Sequence, residues 1–405
     1  MNIEVGLFPH MVVQRNRHNV SEANFSGMCS STGLVLATVR SGQRGLKGFA
    51  SIPVGTSAQG RMKGCLKGVP AGGPYTIELQ VGVEKLVVPD VLVGDVWLLG
   101  GQSNMQGCGL VAKKRLQVDP LVRAFYMDDR WAVAKNPLHN RWVCVDQVHI
   151  DLCGCRPSQL PADYGVGPGP AFGIEMRRRT GVPQGLIACA HGGTSMTQWD
   201  PVRKAEGGKS LYGAMVRRLH KNGQRVAGMI WYQGCNEANI QDAPLYTRRM
   251  RMFVAALRRD AVDKNLPVAM VQIARVFGRS SGLAASWNSV QDQQRRLPQV
   301  IKNLATVLAI DLPLDDNIHV SGEGHAVLGV RLAQAMQNLR GDRKAGPPPI
   351  AMKKIFLETV RGRGVVVVEF ENVVGKLRAG SLPSGFAIIN SAARLMTTSA
   401  MCTRS

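Results

Sequence analysis

Ser103 follows two glycines in Gly94-Asp-Val-Trp-Leu-Leu-Gly-Gly-Gln-Ser-Asn-Met-Gln-Gly107, where an apolar run gives way to a helix start. A serine so placed is a candidate nucleophile, because free backbone N–H groups and the helix dipole favour the anion that develops when it attacks a carbonyl. The tight strand-to-helix turn is the device of a nucleophile elbow, although the Gly-x-Ser-x-Gly pattern itself is absent. The bland alternative is a turn or cap serine. At neutral pH a serine hydroxyl needs a base, and the base needs an orienting acid. Asp316-Asn-Ile-His319 supplies both in one loop, with His319 as base and Asp316 holding its tautomer. Asp315 and Asp311 are rival acids, and each of these residues has an ordinary loop or cap role as its alternative.

Acyl transfer also needs donors aimed where the oxyanion forms. The Ser103 N–H is one. In His191-Gly-Gly-Thr194, Gly192 and Gly193 permit close backbone approach, and Trp231-Tyr-Gln-Gly-Cys-Asn-Glu-Ala-Asn239 carries Gln233 and Asn236 as side-chain amides. Seen singly, each is an ordinary loop. Their common position, at the ends of successive apolar runs, makes them one expected site.

The elements that must position these residues read as follows. Residues 1–92 alternate like strands: Tyr75, Ile77, Leu79 and Val81 face a core while Thr76, Glu78 and Gln80 face water. Leu34–Val39 and Glu84–Val88 look similar, so a small antiparallel, β-sandwich-like domain is expected over 1–92. Over 93–340 apolar strands alternate with helices. The strands are Val93–Leu99, Gly185–Ala190, Val226–Tyr232, Pro267–Ile273 and Leu304–Ile310; the helices are Pro170–Thr180, Leu211–Asn222, Leu245–Arg259, Ala284–Leu297 and Gly322–Leu339. Such repeats predict a parallel five-stranded sheet covered on both faces, with ligands outside the strands' carboxyl ends. Ser103, Gly192, Gln233 and Asp311 all follow such an end. Residues 341–350 read as a linker, 351–390 as a partial carboxyl-terminal β region with strands at Val365–Phe370 and Phe386–Ile389, and 391–405 as a disordered tail.

Composition narrows the partners. The 405 residues carry 50 Lys+Arg against 28 Asp+Glu, a formal charge of +22, which favours anionic partners. The arginines of 177–179 and 248–259 fall on amphipathic helices and read as solvated faces, and few aromatics accompany them, so no specific nucleic-acid surface is suggested. Nine cysteines show no disulfide framework and no paired Cys-x-x-Cys sets, and Cys153 and Cys155 are poorly spaced for either. No run approaches the ~18 apolar residues of a membrane span. No secretory signal is visible, so a cytoplasmic protein is expected, or a secreted or periplasmic one if the amino terminus lies upstream. Oligomeric state is not legible.

In combination, Gly94-Asp-Val-Trp with Gly-Gln-Ser-Asn-Met105, Gly167-Pro-Gly, Gly192-Gly-Thr194, Leu211-Tyr-Gly-Ala-Met215, Trp231-Tyr-Gln-Gly234 and Asp316-Asn-Ile-His319 resemble the sialate O-acetylesterase family of SGNH hydrolases. Met11-Val-Val-Gln-Arg15 and Ala71-Gly-Gly-Pro-Tyr75 resemble its amino-terminal β region, so the likeness covers roughly residues 5–390. It implies an α/β fold with a flavodoxin-like three-layer core, no metal or organic cofactor, and removal of O-acetyl groups from sugars. Carried over by position, Ser103 is the nucleophile, His319 the base and Asp316 its orienter. The oxyanion donors fall to Ser103 N–H, Gly192 or Gly193, and an amide of the Gln233 loop, with Gln233 preferred to Asn236. Cys235-Asn236-Glu237 departs from the glutamate that usually follows Gln-Gly in the family, and the late β region ends early. The expected substrate is an O-acetylated sugar or polysaccharide. An acetyl xylan or other polysaccharide esterase is the alternative, and a non-catalytic carbohydrate-binding descendant is the reading from another class.

Overall fold

One strand, Glu84–Gly101 (β1), connects everything that matters for the site. In the computed structural model, which describes residues 1–111, 117–154, 164–278, 281–342, 346–377, 388–389 and 395–396, its first half pairs antiparallel with Gly72–Val81, as in Ile77 against Val88. Its second half runs parallel to two other strands. From Val91 onward every residue of β1 is buried, which a strand covered on both faces requires. Residue 92 lies inside this strand.

The antiparallel part is built by Asn2–Val5, Val20–Met28, Arg61–Pro70, Ile52–Ala58, Gly33–Ser41 and Gly72–Val81, paired in that order. Alternation sets its core face: Tyr75, Ile77, Leu79 and Val81 are buried, as are Val35, Ala37 and Val39, while Leu34 is exposed.

The parallel part contains Val122–Phe125 (β2), the short Trp131–Val133 (β3), Gln184–Ala188 (β4), Gly228–Tyr232 (β5), Val268–Val271 (β6) and Leu304–Val307 (β7). Their order is β3-β2-β4-β1-β5-β6-β7, with β3 antiparallel to β2 and every other pair parallel. Among the described residues six strands of this part are parallel, one more than the five expected, and Val12–Gln14 also pairs parallel with β1 at Leu92–Gly94. The extra one, β2, is four residues long and is interrupted by Arg123, which is buried because it bonds the Pro120 carbonyl and the Asp90 carboxylate. A charged residue in so short a run hides the apolar signal.

A four-residue helix, Ser103–Gln106 (α1), follows β1. The connecting helices are Gly169–Thr180 (α2), Leu211–Lys221 (α3), Tyr246–Asp260 (α4), Ser281–Val300 (α5) and Gly322–Leu339 (α6), each within a few residues of its expected span. Ser210 and Ser321 cap α3 and α6 through their hydroxyls. No helix among the described residues is long and apolar enough to cross a membrane, and Cys29, Cys65, Cys144 and Cys189 are free thiols; Cys155 lies outside the described residues.

Met1–Gly346 forms one compact unit and Pro347–Ser405 a second. In the second, Ala351–Val360 pairs antiparallel with Arg363–Glu371. Ile388–Ile389 pairs with Leu395–Met396, so two residues of the stretch expected to be a disordered tail are in a strand; the rest of that stretch lies outside the described residues.

Candidate active site

The turn that presents Ser103 is set by Gly101, whose φ of +130° disfavours any other residue. A Cβ there would also lie 2.2 Å from the Tyr232 carbonyl oxygen of β5. β1 can thus run hard against β5 and still turn sharply into α1, leaving Ser103 at the first turn and 9% exposed. Gln102 secures the turn from below: its Oε1 accepts from the Gly234 and Cys235 N–H groups at 2.9 and 3.0 Å. At Cys235 the turn is thus held through the backbone N–H.

The loop between β7 and α6 brings in the base. His319 Nε2 lies 3.0 Å from Ser103 Oγ, and His319 Nδ1 lies 2.6 Å from Asp316 Oδ2. A carboxylate only accepts, so Asp316 fixes the proton on Nδ1 and leaves Nε2 as an acceptor facing the hydroxyl. The other carboxylate oxygen accepts from the Ile318 and His319 N–H groups at 2.8 and 2.7 Å. Partial burial would raise the Asp316 pKa, but the bonds from His319 and the backbone outweigh it and hold the carboxyl below its ordinary value. The rival acids are engaged elsewhere. Asp311 pairs with Arg331 at 2.6 Å, and Asp315 accepts from the Leu110 N–H at 2.7 Å.

The expected oxyanion donors are distributed unevenly. Gly192 sits against the nucleophile, since a Cβ on it would lie 3.4 Å from Ser103 Cβ; its N–H donates to Gln106 Oε1 at 2.7 Å. Gly193 has φ +71° and open space beside it. Gln233 is fully buried, and its amide nitrogen donates to the Thr194 carbonyl at 3.2 Å and to the Glu237 carboxylate. Both amide hydrogens are therefore occupied within the structure. Asn236 is the exposed amide, and it donates to the Gly193 carbonyl at 2.8 Å. The structure thus joins Ser103, His319 and Asp316, sets Gly192 beside them, and turns Gln233 inward.

Sequence reading passed over several buried polar groups. Glu237 ties the two oxyanion-side loops together, accepting from Met196 N–H at 2.5 Å as well as from Gln233; burial raises its pKa despite both bonds. His191, expected as a pocket wall or a simple loop residue, is a buried loop histidine whose Nδ1 lies 2.9 Å from Nδ1 of His149, and burial, with the Arg141 charge adding to it, lowers its pKa to about 4. The available signal was polarity itself: Gln102, Asn104 and Gln106 interrupt an otherwise apolar turn and are buried, which is tolerated only where polar groups find partners. One donor set among the described residues, Cys144, Asp146 and His149, brings metal-binding atoms within 4.8 Å of one another. Arg217 already caps both Asp146 oxygens at 2.6 and 2.8 Å, so a cation holds that carboxylate.

A serine, an imidazole and a carboxylate in line at the carboxyl edge of a parallel sheet make a hydrolase arrangement of the serine type. The chain belongs to the carbohydrate esterase, sialic acid-specific acetylesterase family, whose model matches residues 93–338, and it is an ester hydrolase of that family. It is 32% identical over 262 residues to a probable carbohydrate esterase of Arabidopsis thaliana, covering 59% of this chain and 89% of the plant protein. It is also 32% identical over 251 residues to the human sialate O-acetylesterase, covering 52% of this chain and 46% of that one, so it spans about half the length of the human relative. Among solved structures it is similar to a carbohydrate acetylesterase of Xanthomonas citri, with a TM-score of 0.70 and 25% identity over 99% of this chain and 89% of that chain.

Proposed function

We propose that the chain removes O-acetyl groups from sugars through an acetyl-serine intermediate. The observation that carries this is the unbroken line from Asp316 through His319 to Ser103, with contacts of 2.6 and 3.0 Å. As Ser103 Oγ attacks the acetyl carbonyl carbon, His319 Nε2 takes its proton and Asp316 stabilises the imidazolium. The negative oxygen of the tetrahedral intermediate takes hydrogen bonds from the Ser103 N–H and from the Gly192–Gly193 loop, with Asn236 as the side-chain amide on the open side of that loop. Collapse breaks the bond to the sugar oxygen, which leaves with the proton from His319. Water, deprotonated by the same imidazole, then attacks the acetyl-serine and releases acetate.

Sialate esters lead as substrates because the family description names sialic acid and the human relative is named for sialate; the plant relative is named only for carbohydrate, so acetylated polysaccharides are the competing substrates. We read the fold more finely as a flavodoxin-like three-layer core over 93–340 preceded by a β-sandwich-like region over 1–92, supported by the six parallel strands, the helices between them and the alternating burial of the first strands. Acetate release from O-acetylated sialic acids, acetyl xylan and simple sugar acetates, run beside Ser103→Ala, tests the function. A Ser103→Ala protein that hydrolyses p-nitrophenyl acetate as fast as the parent would overturn it.

A further inference from the structure

We infer that Asn104 is a positioning residue that sets the distance between the nucleophile and its base. This rests on the reading of Ser103 and His319 given above. Asn104 follows Ser103 on α1, is fully buried, and reaches the residues on either side of the base: its Nδ2 donates to the Ile318 carbonyl at 3.3 Å, and its Oδ1 accepts from the Val320 N–H at 2.9 Å. His319 lies between those two anchors. The direct hydrogen bonds from α1 to this loop are therefore Ser103's own and the pair made by Asn104, and all three bear on one contact.

Other bonds keep the loop attached to the fold. Leu314 bridges to Val320, the Ser321 N–H donates to Pro313 at 2.9 Å, the Asp315 N–H donates to the His319 carbonyl at 3.0 Å, and the Phe277 N–H donates to the Asn317 carbonyl at 3.0 Å. None of these runs to the serine helix. Removing Asn104 thus leaves the loop in place and its register to Ser103 unspecified, and a misplacement of order 1 Å at reacting groups costs on the order of 10² in rate. One donor atom and one acceptor atom on the same side chain are needed, facing a carbonyl and an N–H on either side of His319; among side chains of this size an amide or a protonated carboxyl offers them on two separate atoms.

That last point gives a test which a merely structural role would not meet. Asn104→Ala should lower kcat on p-nitrophenyl acetate by about 10² with KM within threefold, in a protein whose thermal midpoint falls but which remains folded at the assay temperature. Asn104→Asp should behave differently with pH. Protonated, its carboxyl reproduces the amide, with C=O toward Val320 N–H and O–H toward Ile318; ionised, it faces the Ile318 carbonyl with like charge. Its rate should therefore approach the parent's at acid pH and fall as pH rises, a descending limb that the parent lacks, while its melting curve shows it folded across the range. A folded Asn104→Ala with kcat within threefold of the parent would overturn the proposal, as would an Asn104→Asp profile that follows the parent's throughout. If both variants unfold, Asn104 is a folding residue and the proposal also falls. Ser103→Ala separates this from the underlying site assignment: full activity there removes the site reading itself, whereas its inactivity beside an active Asn104→Ala removes only the positioning role.

Discussion

Replacing Asp316 by Asn is the sharpest probe of the base, because it changes the imidazole's proton and leaves the loop intact. The Oδ1 oxygen goes on accepting from the Ile318 and His319 N–H groups, so the new amide nitrogen faces His319 Nδ1. It can only donate there, and the ring must carry its proton on Nε2, pointed at Ser103 Oγ, which blocks proton abstraction. Restoring the reactive tautomer breaks a hydrogen bond of the charge-assisted class, worth roughly 1.5–3 kcal/mol. The imidazolium also loses its counter-charge, ~4 kcal/mol at ~4 Å and an effective dielectric constant of ~20. Because the Asp316 side chain is 54% exposed, that second figure is discounted to roughly 1–2 kcal/mol for solvent screening. The sum, roughly 2.5–5 kcal/mol, corresponds to a fall in kcat of about 10²–10⁴. Initial rates of acetate release, with thermal melts of the same samples, measure it, and Asp315→Asn and Asp311→Asn serve as controls expected to stay within about threefold, since neither carboxylate touches His319. If Asp316→Asn retained more than a tenth of the parent rate while either control fell a hundredfold, the assignment of the orienting acid would be wrong.

Two further outcomes follow from groups around the triad. Gln233→Ala should lower the thermal midpoint, because it leaves the buried Glu237 and Thr194 acceptors short of a partner, at roughly 1–3 kcal/mol, whereas Asn236→Ala should lower kcat with the midpoint unchanged; the reverse pattern would return the amide donor role to Gln233. Acid should destabilise the fold through its buried imidazoles: burial lowers His191 to about 4 and His139 and His325 to about 3, so as pH falls from about 6.5 the unfolded chain takes up protons that the folded one does not. Each such group removes roughly 1.4 kcal/mol per pH unit down to its own folded value. Urea unfolding at pH 7, 6, 5 and 4 checks this, and a His139→Gln variant with an unchanged slope would count against it.

What the sequence showed and hid follows from which interactions are local. The alternation at Tyr75–Val81, the apolar run into Gly100 and Gly101, and the helical spacing of α2 to α6 are patterns that neighbouring residues impose on one another, and they stood out without a structure. Asp316 and His319 are three apart, so their pairing was also visible. The contacts that decide which amide faces the substrate are of another kind. Gln102 reaches across 132 residues to Gly234, and Gln106 across 86 to Gly192; Gln233 looked like a donor because it ends a strand, yet Glu237, four residues on, draws it inward. A strand end says where a residue sits along the sheet edge and nothing about which neighbour has already taken its hydrogens. The same limit applies to β2, where Arg123 is buried beside a carboxylate, Asp90, that lies 33 residues away and outside any local window of sequence. Motifs located the chemistry, and the buried polar network between the motifs determines which of their groups remain free to do it.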